Sequence, residues 1–145
     1  MTLRATFILD GACVHHEHAA FARLAVGLAA EGIRTLLALD GDPNLATDDR
    51  DAPIPTITVP TRLPFWIRER AIDATLDAFN EAGMDQLDVV VAAGATGIGF
   101  AHRLARRIDR PLVVEVRSRN ELRAVPRDPG ITVVAATEAI RRLAA

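Results

Sequence analysis

The amino-acid sequence predicts an α/β fold, specifically a doubly wound, mostly parallel six-stranded sheet of the Rossmann-like type. Short apolar runs of β type alternate with longer segments of helical period, the pattern of parallel strands joined by helices. The apolar runs are nearly continuous, as expected for strands covered on both faces. The chain has 145 residues, 50% of them hydrophobic, which predicts one domain over 1–145 with a core that needs no disulfide or metal.

The first part of the chain supplies three predicted strands and two predicted helices. Apolar runs at 5–9 and 35–39 are buried strands, and 57–59 is a short edge strand within the proline-rich stretch 46–64. A helix from about Glu17 to Glu31 should end at Gly32. Its predicted buried stripe is Phe21, Leu24, Ala25 and Leu28. The second helix, over 65–82, should bury Phe65, Ile72, Leu76 and Phe79.

The second part of the chain supplies three more predicted strands, at 87–92, 112–116 and 131–135. A helix follows the first of them, and its predicted inward residues are Ile98, Ala101, Leu104, Ala105 and Ile108. Residues 117–130 are predicted to be a polar loop, and Thr137 should cap a last short helix. Right-handed crossovers then favour the strand order 3-2-1-4-5-6.

Composition and charge exclude several functional classes. The single cysteine, Cys13, cannot form an internal disulfide, which favours a reducing compartment and predicts a cytoplasmic protein. The net charge of −2 gives no reason to expect a nucleic-acid partner. No signal peptide or membrane span is visible. All 17 basic residues are Arg, which we interpret as compositional bias.

Three stretches, taken in order, resemble a known family. They are the strand, Gly turn and Ala/Leu helix of 8–34; the Val-rich strand, small-residue helix and Arg-Pro-Leu-Val-Val of 88–114; and the strand leading through Thr137-Glu138 into a helix, 131–142. Together they resemble the N-terminal domain of the GT-B glycosyltransferases, especially the large retaining family four. The resemblance implies an acceptor-side half-domain that needs a donor-binding C-terminal domain or partner chain for sugar transfer. It implies no bound cofactor, and the isolated chain is expected to be inactive.

Local departures from that family keep a second function open. Family members often carry His after the fourth and fifth strands, where this sequence has Ala92-Ala93 and Arg117. The first turn holds one glycine, Gly11, where two are common. The alternative is a non-catalytic nucleotide- or phosphate-binding or interaction module on the same fold, because a fold alone does not fix function.

Ligands of open α/β sheets bind beyond the carboxyl ends of the strands, which here should gather 10–17, 93–97 and 115–119. The densest chemical cluster in these stretches is His15-His16-Glu17-His18. His15, His16 and Glu17, with Gly11 in the turn before them, are candidate ligand-binding residues. Imidazole could act as a general base, but two ligands at helical spacing are too few for a zinc site, so no metal is predicted.

Gly94, Thr96 and Gly97 are further candidates, because they join a strand to a helix start. Glycines in that position let backbone N–H groups approach a phosphate, although tight helix packing would also require them. The turn also looks like that of short-chain dehydrogenases, but the chain has no Tyr and no Lys for their catalytic pair. Reductase chemistry is therefore excluded.

Glu115 and Arg117 alternate at the end of the fifth predicted strand, so they point to one side. They could contact a sugar or phosphate, or simply pair with each other. No catalytic residue is assigned. Because the face that would look onto a second domain is uncovered, we expect a homodimer formed through the proline-rich loop before Phe65-Trp66 and the loop 117–130.

Overall fold

The computed structural model describes residues 2–41, 55–62 and 65–144, without the side chains of 12–19, 22, 65 and 144. The strands are β1 (Arg4–Leu9), β2 (Arg34–Asp40), β3 (Thr56–Val59), β4 (Val89–Ala93), β5 (Leu112–Val116) and β6 (Ile131–Ala135). The helices are α1 (Gly11–Ala30), α2 (Phe65–Glu81), α3 (Ala95–Ile108), α4 (Arg119–Ala124) and α5 (Glu138–Ala144).

All six strands are parallel, in the order β3-β2-β1-β4-β5-β6. The predicted Rossmann-like α/β fold and strand order are therefore confirmed. β1 lies between β2 and β4, and the last residue of β1, Leu9, is in register with Leu39 on one side and Ala93 on the other. The carboxyl ends of these three strands consequently meet at one point of the sheet edge.

Apolar side chains alternate to the two faces of the sheet and form two cores. On one face Phe7, Leu9 and Leu37 pack with Phe21 and Ala25 of α1. The larger core, on the other face, joins the sheet to α2, α3 and α5. Its members include Ile8, Leu36, Val90, Val114, Ile72, Phe79, Ile98, Leu104 and Ile140. Continuous apolar strands are thus explained by burial on both sides, as predicted.

Helix α1 departs from its prediction in two ways. It begins at Gly11 rather than near Glu17. Residues 15–18 are polar, so apolar periodicity alone could not locate the start of the helix. Leu24, predicted to be buried, is 48% exposed, whereas Phe21 and Ala25 are buried. The buried stripe is narrower than predicted, since Leu24 lies at its margin.

A second correction concerns 117–130, predicted to be entirely loop. It contains the short helix α4, which begins with a capping box: the Ser118 side chain accepts from the Glu121 N–H, and the Glu121 side chain accepts from the Ser118 N–H. By contrast, the predicted cap of the last helix is confirmed. The Thr137 hydroxyl accepts a hydrogen bond from the Ile140 N–H at 3.3 Å.

The edges of the sheet differ from its centre. β3 is an edge strand, as its prolines predicted, and β6 forms the other edge. On β6 the side chains of Val133 and Val134 are partly exposed. Within the described ranges, no helix combines the length and the apolar character needed to cross a membrane.

Candidate functional site at the carboxyl ends of the strands

A buried carboxylate, Asp10, lies where β1 ends. Its backbone N–H donates to the Ala93 carbonyl at 3.2 Å, so β1 and β4 stay paired one residue beyond β1. The residue is only 5% exposed. Its Oδ2 atom lies 3.4 Å from both the backbone nitrogen and the hydroxyl oxygen of Thr96, which donate to it. These contacts hold the carboxylate against the first turn of α3.

Two of the predicted glycines lie against Asp10. Gly94 has φ of +89°, and a Cβ atom there would collide with the Asp10 carboxyl group. A Cβ at Gly97 would lie 3.3 Å from the Asp10 backbone nitrogen and 3.4 Å from the Ile8 carbonyl oxygen. Glycine at 94 and 97 therefore lets α3 start directly on top of β1 and Asp10.

The position of Asp10 bears on what the start of α3 can bind. The amino end of a helix attracts anions through its N–H groups and its dipole. Here the chain's own carboxylate receives the Thr96 N–H. A phosphate approaching the same place would meet a negative charge, which weighs against a phosphate cradle at Gly94–Thr96.

Thr96 also links Asp10 to a second acid, Asp40, which ends β2. The Thr96 and Thr61 hydroxyl oxygens are 3.2 Å apart, and the Thr61 N–H donates to Asp40 Oδ1 at 3.1 Å. Gly11 lies beside Asp40, because a Cβ there would be 3.8 Å from Asp40 Oδ2. The series Asp10, Thr96, Thr61 and Asp40, which we call the rim network, thus spans the carboxyl ends of the central strands. Two carboxylates and two hydroxyls are groups that bind the hydroxyls of a polar ligand.

Glu115 and Arg117 occupy the neighbouring part of the same edge, since Glu115 is in register with Ala93. Arg117 Nε lies 3.4 Å from Glu115 Oε1, and the guanidinium carbon is 5.5 Å from the centre of the Phe21 ring. The Arg117 backbone N–H donates to the Glu121 carboxylate at 2.6 Å. The predicted internal pairing of Glu115 with Arg117 is therefore present, and α1 and α4 help to hold it.

The environment of Glu115 disfavours its charged form. Burial raises the pKa of the Glu115 carboxyl group above its ordinary value, and the neighbouring Glu121 carboxylate raises that pKa further. An ion pair alone would lower the pKa, but burial, which penalises the charge, outweighs the partly exposed Arg117. Glu115 is thus a carboxyl group suited to holding a proton at a higher pH than a solvated glutamate.

The remaining sequence candidates belong to the start of α1. His15, His16 and Glu17 lie within this helix, directly after Asp10 and Gly11, but their side chains are outside the described part. Their contribution to the site therefore stays a prediction. Among the side chains that are described, no group of three or more His, Cys, Asp or Glu is arranged to hold a metal ion.

Asp10 falls within the predicted ligand-binding stretch 10–17, but the sequence did not single out Asp10, Asp40 or Thr61 as site residues. The signal for the two acids was present, because each directly follows an apolar strand at the edge where ligands bind. Thr61 had no such signal. Its proximity to Thr96 depends on β3 lying beside β2, which brings the two loops together.

Comparison with known proteins supports the fold assignment. No protein-family model and no curated protein sequence matches the chain. Among solved structures, MurG of Acinetobacter baumannii aligns with 91% of this chain at a TM-score of 0.61 and 11% identity. A sucrose-phosphate synthase structure from Thermosynechococcus elongatus aligns with 97% at 0.58 and 15% identity, and UGT89C1 of Arabidopsis thaliana with 98% at 0.53 and 8% identity.

These proteins are GT-B glycosyltransferases, so the chain has a fold that occurs in that class. The alignment covers 45% of the MurG chain, 79% of the sucrose-phosphate synthase chain and 47% of the UGT89C1 chain. The chain thus spans slightly less than half the length of two of the three proteins. Identity at this level establishes the shared fold and leaves activity to be argued from the site.

Proposed function

We propose that the chain is the acceptor-side half of a GT-B type glycosyltransferase, and that sugar transfer requires a donor-binding domain or partner chain. The supporting observation is one of coverage: 91% and 98% of this chain align with 45% and 47% of the MurG and UGT89C1 chains. One Rossmann-like unit of the two that a GT-B enzyme contains would account for those proportions.

The rim network supports binding of a polyhydroxyl acceptor. Asp40, Thr61 and Thr96 are half-buried, and Asp10 is buried. Carboxylates accept hydrogen bonds from sugar hydroxyls, and threonine hydroxyls can both donate and accept. A carboxylate bonded to a hydroxyl is also placed to receive its proton. In this proposal Asp40 contacts the acceptor, and Asp10 acts through Thr96 as a positioning residue.

The alternative of a phosphate-binding module has less support. Its main argument was the glycine turn before α3, and both Gly94 and Gly97 are explained by the close approach of Asp10. The carboxylate at the start of α3 would repel a phosphate. An interaction module without ligand chemistry would bind no saccharide in the experiment that follows.

The acceptor role can be tested by an NMR titration of the ¹⁵N-labelled chain with a panel of mono- and disaccharides and phenyl glycosides. Saturable shifts at Asp40, Thr61, Gly94 and Thr96 are expected. Thr96→Val, which keeps the shape and removes the hydroxyl that links Asp10 to Thr61, should weaken binding about 3–10-fold. The matched control is Thr75→Val, since the Thr75 hydroxyl donates to the Ala71 carbonyl at 2.8 Å within α2 and takes no part in the rim network.

If no saccharide moves the rim amides, or if both threonine variants weaken binding equally, the acceptor proposal is wrong. A separate assay addresses the need for a donor half. The purified chain should not transfer or hydrolyse sugar from nucleotide sugars, because stabilising the departing phosphate needs charged groups that the donor domain would supply. Turnover by the 145-residue chain alone would contradict that requirement.

A further inference from the structure

A cleft lies at the amino ends of the strands, at the end of the sheet opposite the rim network. It opens where β5 and β6 begin, between the end of α3 and the loop that precedes β6, and its volume is about 590 Å³. Its lining includes His102, Arg106, Arg110, Arg127, Asp128 and Gly130. Because parallel strands share one direction, the length of β5 separates this cleft from the carboxyl-end site. The cleft is therefore independent of the proposed function.

Three arginines line the cleft and come from separate segments. Arg106 lies in the last turn of α3, Arg110 lies just beyond that helix, and Arg127 lies in the loop before β6. Stabilisation of the carboxyl end of α3 explains Arg106. It does not explain Arg127, which follows α4 in the chain and reaches the cleft from the other wall.

These arginines differ from others on the surface in their partners. Arg107 pairs with Glu69 at 3.0 Å and Asp73 at 2.8 Å, and Arg141 pairs with Glu138 at 2.7 Å. In the described ranges, no ion pair links a carboxylate to Arg106, Arg110 or Arg127. The cleft thus concentrates positive charge that this part of the chain does not neutralise by direct pairing.

The acids of the cleft cancel only part of that charge, and Asp128 is attracted to Arg106 without direct pairing. Asp128 is committed to the protein, since its Oδ2 lies 2.8 Å from His102 Nε2 and its Oδ1 accepts from the Gly130 N–H at 2.8 Å. Asp109 ends α3 in a left-handed conformation with φ of 53°. With three arginines and two aspartates, the side chains that line the cleft carry a net positive charge.

The loop wall of the cleft is fixed before any ligand arrives. The contact of Asp128 with His102 ties the loop to α3, and the Ile131 N–H donates back to the Asp128 carbonyl at 3.2 Å. The Leu112 N–H of β5 donates to the Gly130 carbonyl at 3.4 Å. A loop already ordered in this way loses little conformational freedom on binding, which favours affinity.

The geometry points to a second ligand site: the cleft binds a small phosphorylated molecule, with the phosphate held by the guanidinium groups of Arg110 and Arg127. Guanidinium presents paired N–H donors that match phosphate oxygens. The volume lies within the range of about 300–1,000 Å³ that is usual for small-molecule sites. His102 and the backbone of the loop then face the remainder of the ligand.

The test is an NMR titration of the ¹⁵N-labelled full chain at physiological salt with glucose 6-phosphate, inorganic phosphate and, as the uncharged match, glucose. Saturable shifts are expected at His102, Arg127 and Gly130 with both phosphate compounds and not with glucose. Arg110→Gln and Arg127→Gln should each raise the dissociation constant about tenfold, the usual effect of losing one charge-assisted hydrogen bond.

Arg103→Gln is the matched control, because it removes the same charge from an exposed position of α3 that does not line the cleft. It should change the dissociation constant less than twofold. The amide spectrum of each variant without ligand reports whether it is folded. Absence of saturable shifts at the cleft with either phosphate compound overturns the proposal. Equal weakening in the Arg103 variant does so too, because it would mean unspecific attraction to a basic surface.

Discussion

Asp10 illustrates how one residue can determine the identity of its neighbours. Its buried carboxyl group fills the space next to Gly94, so a side chain at 94 would collide with it, and its backbone lies close enough to Gly97 that a side chain there would be crowded. Its Oδ2 receives the Thr96 hydroxyl, which in turn touches Thr61. At the scale of single residues, therefore, the candidate site is a set of side chains arranged around one acid.

Replacement of Gly94 by Ala should destabilise the fold. The new methyl group would meet the Asp10 carboxyl group, and alanine is strained at a φ of +89°. Together these effects should lower the free energy of unfolding by about 2–4 kcal/mol. Gly99→Ala in the same helix is the control, because its Cβ meets nothing within 4 Å, and it should stabilise by about 0.5–1 kcal/mol. Urea denaturation measures both, and equal stability of the two variants would contradict the packing argument.

Glu115 should make stability depend on pH. Because its pKa is raised in the folded chain, its contribution is complete below the ordinary value of 4.5 and is lost as pH rises through the folded pKa. As pH rises from 4.5 to 7, the melting temperature of the wild-type chain should therefore fall relative to that of Glu115→Gln.

Glu138 is the matched control with the opposite sign. Hydrogen bonding to Arg141 lowers the pKa of the Glu138 carboxyl group below 4.5, so its contribution is present above that pH and is lost on acidification. As pH falls below 4.5, the melting temperature of the wild-type chain should accordingly fall relative to that of Glu138→Gln. A difference between wild type and Glu115→Gln that does not vary with pH would show that Glu115 has no raised pKa.

At the scale of elements, helix α4 depends on its cap. With only six residues it cannot be stable by itself, and the Ser118 side chain satisfies the Glu121 N–H at 3.2 Å. Ser118→Ala should lower the free energy of unfolding by about 1 kcal/mol. Asn120→Ala, an exposed change inside the same helix, should be neutral or slightly stabilising. Thermal unfolding distinguishes them, and an unchanged Ser118 variant would mean that the cap is unimportant.

The elements also show how far the sequence could predict the fold. Continuous apolar runs located all six strands, and the alternation of strands with helices indicated their order, because burial and handedness constrain such chains strongly. α4 was missed although Ser118 and Glu121 stand at capping-box spacing, since its polar composition resembled a loop. The rim network could not be predicted, because Thr61 and Thr96 come into contact only when the pairing of the strands brings their two loops together.

For the whole molecule, the prediction of self-association still stands to be tested. Trp66, at the start of α2, is 70% exposed, and Val134 on the edge strand β6 is 48% exposed. Sedimentation over a range of concentrations should show a dimer, because burying large apolar groups between two copies removes them from water. Trp66→Ser should weaken association more than Leu24→Ser, a comparable exposed apolar position on α1. A strictly monomeric chain at high concentration would refute the prediction.

The central pairing of β1 with β4 has a consequence for how the site comes into existence. Ala5 pairs with Val89, and the Arg4 N–H donates to Asp88 at 2.8 Å, so residues 84 positions apart must meet before this pairing forms. β1 and β2, only 30 positions apart, can meet earlier because closing a shorter loop loses less entropy. Asp10 directly follows β1, whereas Gly94 and Thr96 follow β4. The candidate site therefore exists only once β1 and β4 have paired, and a ligand that bridges it would slow the separation of these two strands.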